Sequence, residues 1–326
     1  MKPAATDIAA VMDAGGPHLG VLMARVEDRL RTIAEPAGLP LSEWAGGTIA
    51  AGGKRLRPLL SLLAAGGPTT GEEQDALVRA GVAVELLHVA TLVHDDVLDA
   101  ATLRRGAPTV WAVAGRSAAT TTGDFLFATA FAELARNDDP DQVKALSAAS
   151  SGLARGELLQ RADAWDASIT VERYLERCEL KTARLFAAAC ELGELAAGRS
   201  PALASFGLRI GLAFQVLDDV LDVSGPTEAT GKHRGTDLLD GTITLPLVLA
   251  RRADAELAAL DPRSVVDSEA AERVCDMIAR TGALEEARDY ALALVADAKA
   301  ELPARLEPST RAALELIADG VANRGA

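Results

Sequence analysis

Aromatic side chains make up only 3% of this 326-residue chain. A core without them is filled by aliphatic residues, and Ala and Leu dominate here, which favours closely packed helices. Cysteine is as scarce: Cys178, Cys190 and Cys275 are the full set. Their number is odd, no Cys-x-x-Cys occurs, and each lies in an apolar-periodic segment. They read as reduced core residues of a cytoplasmic protein. Basic residues are in deficit, 33 against 47 acidic, for a net charge of −14, which argues against a nucleic-acid partner. The N-terminus, MKPAATDIAAVMDAGG, lacks the basic start and apolar run of a signal peptide. No 18-residue run is wholly apolar, so no transmembrane segment is expected. There is no long Ser/Gly- or Pro-rich linker and no low-complexity block. Length alone would suggest two domains, but nothing marks a boundary, so residues 1–326 read as one domain.

What is present is periodicity. Apolar residues recur at three- and four-residue spacing, as at Val82, Leu86, Val89 and Val93, and along Leu208, Leu212, Gln215 and Asp219. Strand-like alternation is scarce. The chain is expected to be all-α, a large helical bundle. Its longest polar interruption is Ser224–Thr242, which follows an acidic word directly and suits a mobile lid.

That acidic word occurs twice. Residues 95–99 and 218–222 both read Asp-Asp-Val-Leu-Asp, each inside an apolar, helix-like segment. On a helix Asp95 and Asp99, like Asp218 and Asp222, stack at i and i+4, with Asp96 and Asp219 beside them. Three carboxylates on one turn repel one another and are costly to desolvate. A solvated acidic turn would explain one copy, but two identical copies in apolar segments point to a cation opposite them. Oxygen-only ligands suit Mg²⁺, which keeps waters and takes substrate phosphates as well. An EF-hand is excluded, because its Gly and loop composition are missing.

Lysine is rare, six among the 33 basic residues, and three of the six fall in motifs. Gly52-Gly53-Lys54-Arg55-Leu56-Arg57-Pro58 is a Gly-rich turn leading into a helix, with Lys54 and Arg57 at i and i+3 beside free amides. This is either a pyrophosphate cradle or a capped helix start with solvated charges. Arg104-Arg105-Gly106 lies just beyond Asp99 at an expected helix end, where paired arginines suit phosphate oxygens. His88 stands two turns before Asp95 and reads as a phosphate contact or a packing residue, and His94 reads as structural. Lys181-Thr182 interrupts an apolar helical segment, where a lysine calls for an anion.

With these residues in view the chain resembles the trans-isoprenyl diphosphate synthases, or polyprenyl synthetases. GGKRLRP, HDDVLD followed by RRG, GDFLFA, LKTARL, GLAFQVLDDVLD and GKHRGTDLLDGTITLPL occur in that family's order and spacing. The resemblance implies an all-α prenyltransferase fold around a deep central cavity, acting as a homodimer. It implies that about three Mg²⁺ ions hold the allylic diphosphate between Asp95 and Asp99 on one wall and Asp218 and Asp222 on the other. Arg104, Lys181 and Lys232 would contact the same diphosphate. Lys54, Arg57, His88 and Arg105 would hold isopentenyl diphosphate, and Thr182 and Gln215 would line the reacting centre.

The implied activity is head-to-tail condensation of isopentenyl diphosphate with an allylic diphosphate. Product length in the family is set by a wall on the helix ending at Asp95, and here Leu87, Ala90 and Thr91 occupy it without an aromatic. That implies a product longer than twenty carbons, as in the branch that makes quinone side chains. Phe127 and Phe131 would form a lower floor or pack in the core. One departure stands out, because many family members carry Lys where this chain has Thr242. The alternatives are a short-chain synthase, a class I terpene cyclase, and a non-catalytic subunit of a heteromeric synthase. A cyclase would carry an Asn/Ser/Glu metal motif in place of Asp218–Asp222. A non-catalytic subunit would have lost aspartates or the basic turn.

Overall fold

The computed structural model describes residues 7–67, 69–225 and 234–325. The N-terminal part comprises α1 (Ile8–Gly15), α2 (Pro17–Thr32), α3 (Leu41–Ala50) and α4 (Leu56–Ala64). The long helix α5 (Gly71–Leu98) follows, then the hairpin β1 (Leu103–Arg104) and β2 (Ala107–Pro108), α6 (Val110–Ala135) and α7 (Pro140–Ala162). Helix α8 (Val171–Cys178) passes through one π-helical turn (Glu179–Ala183) into α9 (Arg184–Ala196). The order ends with α10 (Ala204–Ser224), α11 (Thr236–Leu239), α12 (Leu245–Ala253), α13 (Ala255–Ala259), α14 (Ser268–Ala279), α15 (Ala283–Ala300) and α16 (Pro308–Ala322). The all-α expectation holds, and the two-residue strands are the only ones among the described residues.

A capping box starts α5: the Thr70 amide donates to Glu73 Oε2 at 2.6 Å. From Leu77 to Val97 its buried residues fall on every side, the mark of a helix enclosed by others. It packs along α6 and also against α4, α9 and α2. By length and composition α5 is apolar enough to cross a membrane, which an unbroken-run criterion does not detect. Its apolar window is 72% buried inside the protein, so it is a core helix here. The three cysteines are buried and free, as expected of core residues.

Helix α9 shows how the small side chains are used. A Cβ on Gly193 would lie 1.9 Å from the Ser61 carbonyl oxygen of α4. One on Gly211 of α10 would lie 2.6 Å from Ala183, and one on Gly156 of α7 would lie 2.6 Å from the Lys181 amide. These glycines let α4, α7 and α10 close on the α8–α9 rod backbone to backbone. A half-buried ion pair ties the periphery. Arg29 of α2 makes a two-pronged contact with buried Glu133 of α6, at 2.9 and 2.7 Å. Phe127 and Phe131 pack together with ring centroids 5.4 Å apart, against the core.

Candidate active site

The first acidic word closes α5. The Asp99 amide bonds to the Asp95 carbonyl at 2.8 Å, and Ala100 then turns to positive φ and ends the helix. Asp95 sits in the last full turn, where burial pushes its carboxyl up to about 6. Glu157 and Asp99 push the same way, and Lys181 and Arg104 oppose them. Asp99 accepts from Arg161 Nη2 at 2.5 Å. Asp96 is buried and accepts from Arg104 Nε at 2.7 Å, so an arginine already holds the middle carboxylate.

The second word lies within α10. Asp218 accepts from Arg324 Nη2 at 2.5 Å, and that guanidinium stacks 4.3 Å over the Phe214 ring. Asp219 is buried, accepting from Tyr174 Oη at 2.6 Å and Gln215 Nε2 at 2.8 Å. Burial pushes its carboxyl up to about 7, the two hydrogen bonds hold it down, and Asp218 raises it further. Asp222 receives the Asp237 amide at 3.2 Å through its carboxylate. The two words are alike in that the middle aspartate of each is spent on a protein partner, Arg104 for Asp96 and Tyr174 with Gln215 for Asp219.

Between the walls lies a cavity of about 550 Å³. Asp99 borders it from the first word and Asp218, Asp219 and Asp222 from the second, with Lys181, Thr182, Gln215 and Thr242 between them. The π-turn widens the rod where Lys181 and Thr182 sit, a distortion typical of functional positions. Lys181 Nζ meets Glu157 at 2.5 Å and Gln160 at 3.2 Å. Thr182 Oγ1 donates to Gln215 Oε1 at 2.7 Å, so Thr182, Gln215 and Asp219 form one chain. Among the described residues no three His, Cys, Asp or Glu side chains converge as a ready-made metal site. Carboxylates already matched by Arg161 and Arg324 at 2.5 Å show that these positions accept positive charge.

The basic groups gather on another face of α5. Lys54 is exposed and precedes the helix, whose first residue is Leu56, so Lys54 and Arg57 do not share a helical face as their spacing suggested. Arg57 lies in the first turn of α4, 4.5 Å over the Phe186 ring, its Nε without a partner. Burial and nearby Arg105 push it down to about 10, against the pull of Glu85. His88 is held well below its usual range, first by burial and then by Arg57, Arg105, Arg104 and Arg55. The imidazole therefore stays neutral inside a basin of positive potential. A second cavity of about 170 Å³ joins His88, Asp96, Arg104 and Arg105 to Trp44 of α3. His88 thus shares its space with Asp96 rather than Asp95.

The arginine pair is not at a helix end: Arg104 lies in β1 and Arg105 in the following turn. Arg105 and Gly106 have φ of 53° and 80°, a twisted two-residue hairpin. The turn brings the Arg105 guanidinium against Gly53, where a Cβ would come within 2.9 Å of it. Of the chain-length candidates, Leu87 and Ala90 are fully buried and Thr91 is partly open, its hydroxyl donating to the His88 carbonyl at 2.7 Å. His94 packs at the α5–α6 contact, 3.2 Å from Asp124. Lys232 and residues 226–233 of the Ser224–Thr242 stretch lie outside the described residues.

The cavity also uses residues that motif spacing did not single out. Gln160 and Arg161 come from α7, Arg177 from α8, Asp237 and Asp240 from the α11 turn, and Arg324 from beyond α16. Asp237 is pushed well above the carboxylate range by burial and by Asp222, Asp219, Asp218 and Asp240. Tyr174, which fixes Asp219, was the most findable of the missed residues, being one of only two tyrosines in the chain.

Paired acidic walls facing one cavity, with a basic basin beside it, define an enzyme that handles diphosphates. The polyprenyl synthetase family model matches residues 40–279. The chain is 40% identical to heptaprenyl diphosphate synthase component 2 of Geobacillus stearothermophilus, over 83% of this chain and 85% of that one. It is 34% identical to geranylgeranyl diphosphate synthase of Methanosarcina mazei, over 84% and 86%. The fold superposes on a Caulobacter crescentus polyprenyl synthase complexed with calcium and isoprenyl diphosphate, with a TM-score of 0.85 and 35% identity, covering both chains fully. A decaprenyl diphosphate synthase from Rhodobacter capsulatus gives a TM-score of 0.85 at 32% identity, covering 95% of this chain and 98% of that one. The chain belongs to the polyprenyl synthetase family and is a trans-prenyltransferase.

Proposed function

We propose that this enzyme condenses isopentenyl diphosphate with an allylic diphosphate head to tail, in the presence of Mg²⁺, and carries the product beyond twenty carbons. The observation that carries the reading is the duplicated acidic word on two walls of one cavity, with a separate basic basin beside it. Heptaprenyl and decaprenyl synthases among the similar proteins support the longer product. The geranylgeranyl synthase keeps a short-chain product as the second reading.

In this reading Asp95, Asp99, Asp218 and Asp222 hold the metal, while Asp96 and Asp219 orient Arg104 and Gln215. Bound Mg²⁺ supplies charge that stabilises the departing pyrophosphate. Lys181, Arg104 and Lys232 meet the allylic diphosphate. Lys54, Arg57, Arg105 and His88 hold isopentenyl diphosphate, with His88 donating a hydrogen bond as a neutral ring. Thr182 and Gln215 orient the reacting carbons through the hydrogen bonds that fix them to Asp219.

Residues 1–326 act as one domain in this reading, in the cytoplasm, consistent with three unpaired cysteines. The active form is a homodimer, supported by the exposed Val113 and neighbouring alanines of α6. The name component 2 borne by one relative makes a heteromer the outcome to look for when the assembly is sized.

The test is turnover of labelled isopentenyl diphosphate with an allylic primer. Asp95→Ala and Asp218→Ala should each nearly abolish it with the fold intact, because each removes a charge from a repulsive set. Near-normal activity of either variant in Mg²⁺ would rule out the two-wall metal site.

A further inference from the structure

Among the described residues, five cationic side chains border the 550 Å³ cavity: Arg161, Arg177, Lys181, Arg234 and Arg324. Four are matched by carboxylates: Arg161 by Asp99 and Glu157, Lys181 by Glu157, Arg234 by Asp276, and Arg324 by Asp218. Arg177 differs. It is 3% exposed, the most deeply buried of the five. Among the described residues no carboxylate lies within ion-pair distance of it. Its Nη2 donates to the Ile243 carbonyl at 2.5 Å, its guanidinium carbon lies 5.6 Å from the Tyr174 ring centre, and its buried Nη1 has no hydrogen-bond partner. Asp219 feels its charge, but that carboxylate is already bonded to Tyr174 and Gln215.

An uncompensated buried guanidinium is costly, and a neutral side chain would pack there without the penalty. Its bond to Ile243 sets it beside Thr242, which also borders the cavity. Thr242 brings no charge to a wall that carries five aspartates, Asp218, Asp219 and Asp222 from α10 and Asp237 and Asp240 from the α11 turn. We propose that Arg177 binds the diphosphate of the allylic substrate and of the released pyrophosphate, supplying from α8 the positive charge that position 242 lacks. The inference rests on the prenyltransferase reading above. The anion completes what the fold leaves open, since a charge-assisted hydrogen bond to phosphate oxygen satisfies both the guanidinium charge and its orphaned N–H.

The probe is inorganic pyrophosphate in Mg²⁺ buffer. Its dissociation constant is measured by calorimetry for wild type, R177M, T242K and R177M/T242K, with melting curves alongside. R177M should weaken pyrophosphate at least tenfold and change the KM for isopentenyl diphosphate less than twofold. Adding T242K to R177M should recover most of the loss, which a purely structural Arg177 would not allow. T242K alone should change affinity less than twofold, because Arg177 already serves that position. Wild-type pyrophosphate affinity in a folded R177M would overturn the proposal. If R177M does not fold, T242K decides, and a tenfold gain in the otherwise native chain overturns it. Failure of the wild type to elongate a primer would instead remove the underlying prenyltransferase reading, so the two failures are distinguishable.

Discussion

Two adjacent residues in the turn before α4 have opposite duties. Lys54 is exposed, while Arg55 is 9% exposed at φ 49°, bonded to Glu27, to buried Glu85 and to the Ile49 carbonyl. Arg55→Ala should destabilise the protein by about 3–5 kcal/mol in denaturant unfolding, because Glu85 is left buried and unpaired. Lys54→Ala should leave the unfolding midpoint nearly unchanged and raise the KM for isopentenyl diphosphate. A similar loss of stability in both variants would contradict this division. Asp95 offers a second case. Its folded-state value of about 6 lies above that of an unfolded aspartate, so the group favours the fold at low pH, and that contribution disappears as pH rises through 6. Asp95→Asn stays neutral throughout. It should melt higher than the metal-free wild type at pH 7.5, with the difference shrinking as pH falls from 6 toward 4. A variant that melts lower at pH 7.5 would show that the carboxylate is satisfied without metal. Because the metal needs the ionised form, Mg²⁺ affinity of the wild type should fall below pH 6.

At the scale of elements, the sequence was legible wherever one physical signal dominated. The apolar period gave helices, and the repeated acidic word marked both walls, because spacing on a helix fixes which side chains share a face. It failed where backbone geometry is decided by distant contacts. The hairpin carrying Arg104 and Arg105 turns on two positive-φ residues, one of them an arginine, which propensity disfavours. The π-turn at Lys181 leaves no sequence mark of its own. It lies against Gly156 of α7, where any Cβ would meet the Lys181 amide at 2.6 Å. Gly156→Ala should therefore push the turn aside, costing about 1–3 kcal/mol of stability and lowering turnover through misplaced Lys181 and Thr182. Circular dichroism melts and steady-state rates read both effects, and an unchanged rate would separate the π-turn from catalysis.

At the scale of the molecule, the site is assembled from parts of the chain that no local motif connects. Arg161, Arg177, Tyr174 and Arg324 reach it from α7, from α8 and from the segment after α16, and each looks like an ordinary surface or core residue in the sequence. What could be read was the reaction class, because the acidic words and the basic turn are dense in chemistry. The less legible property is product length, which depends on space beneath the site. Ala90 is fully buried five residues before Asp95 in close-packed surroundings, and nothing aromatic stands at Leu87 or Thr91. The most direct test is therefore to incubate the protein with labelled isopentenyl diphosphate and each allylic primer in Mg²⁺, and to size the products of wild type and Ala90→Phe side by side. The account predicts wild-type products longer than twenty carbons, and truncation by Ala90→Phe to about three or four isoprene units, since the added ring cannot be moved aside. Wild-type products of fifteen or twenty carbons, unchanged by Ala90→Phe, would contradict it.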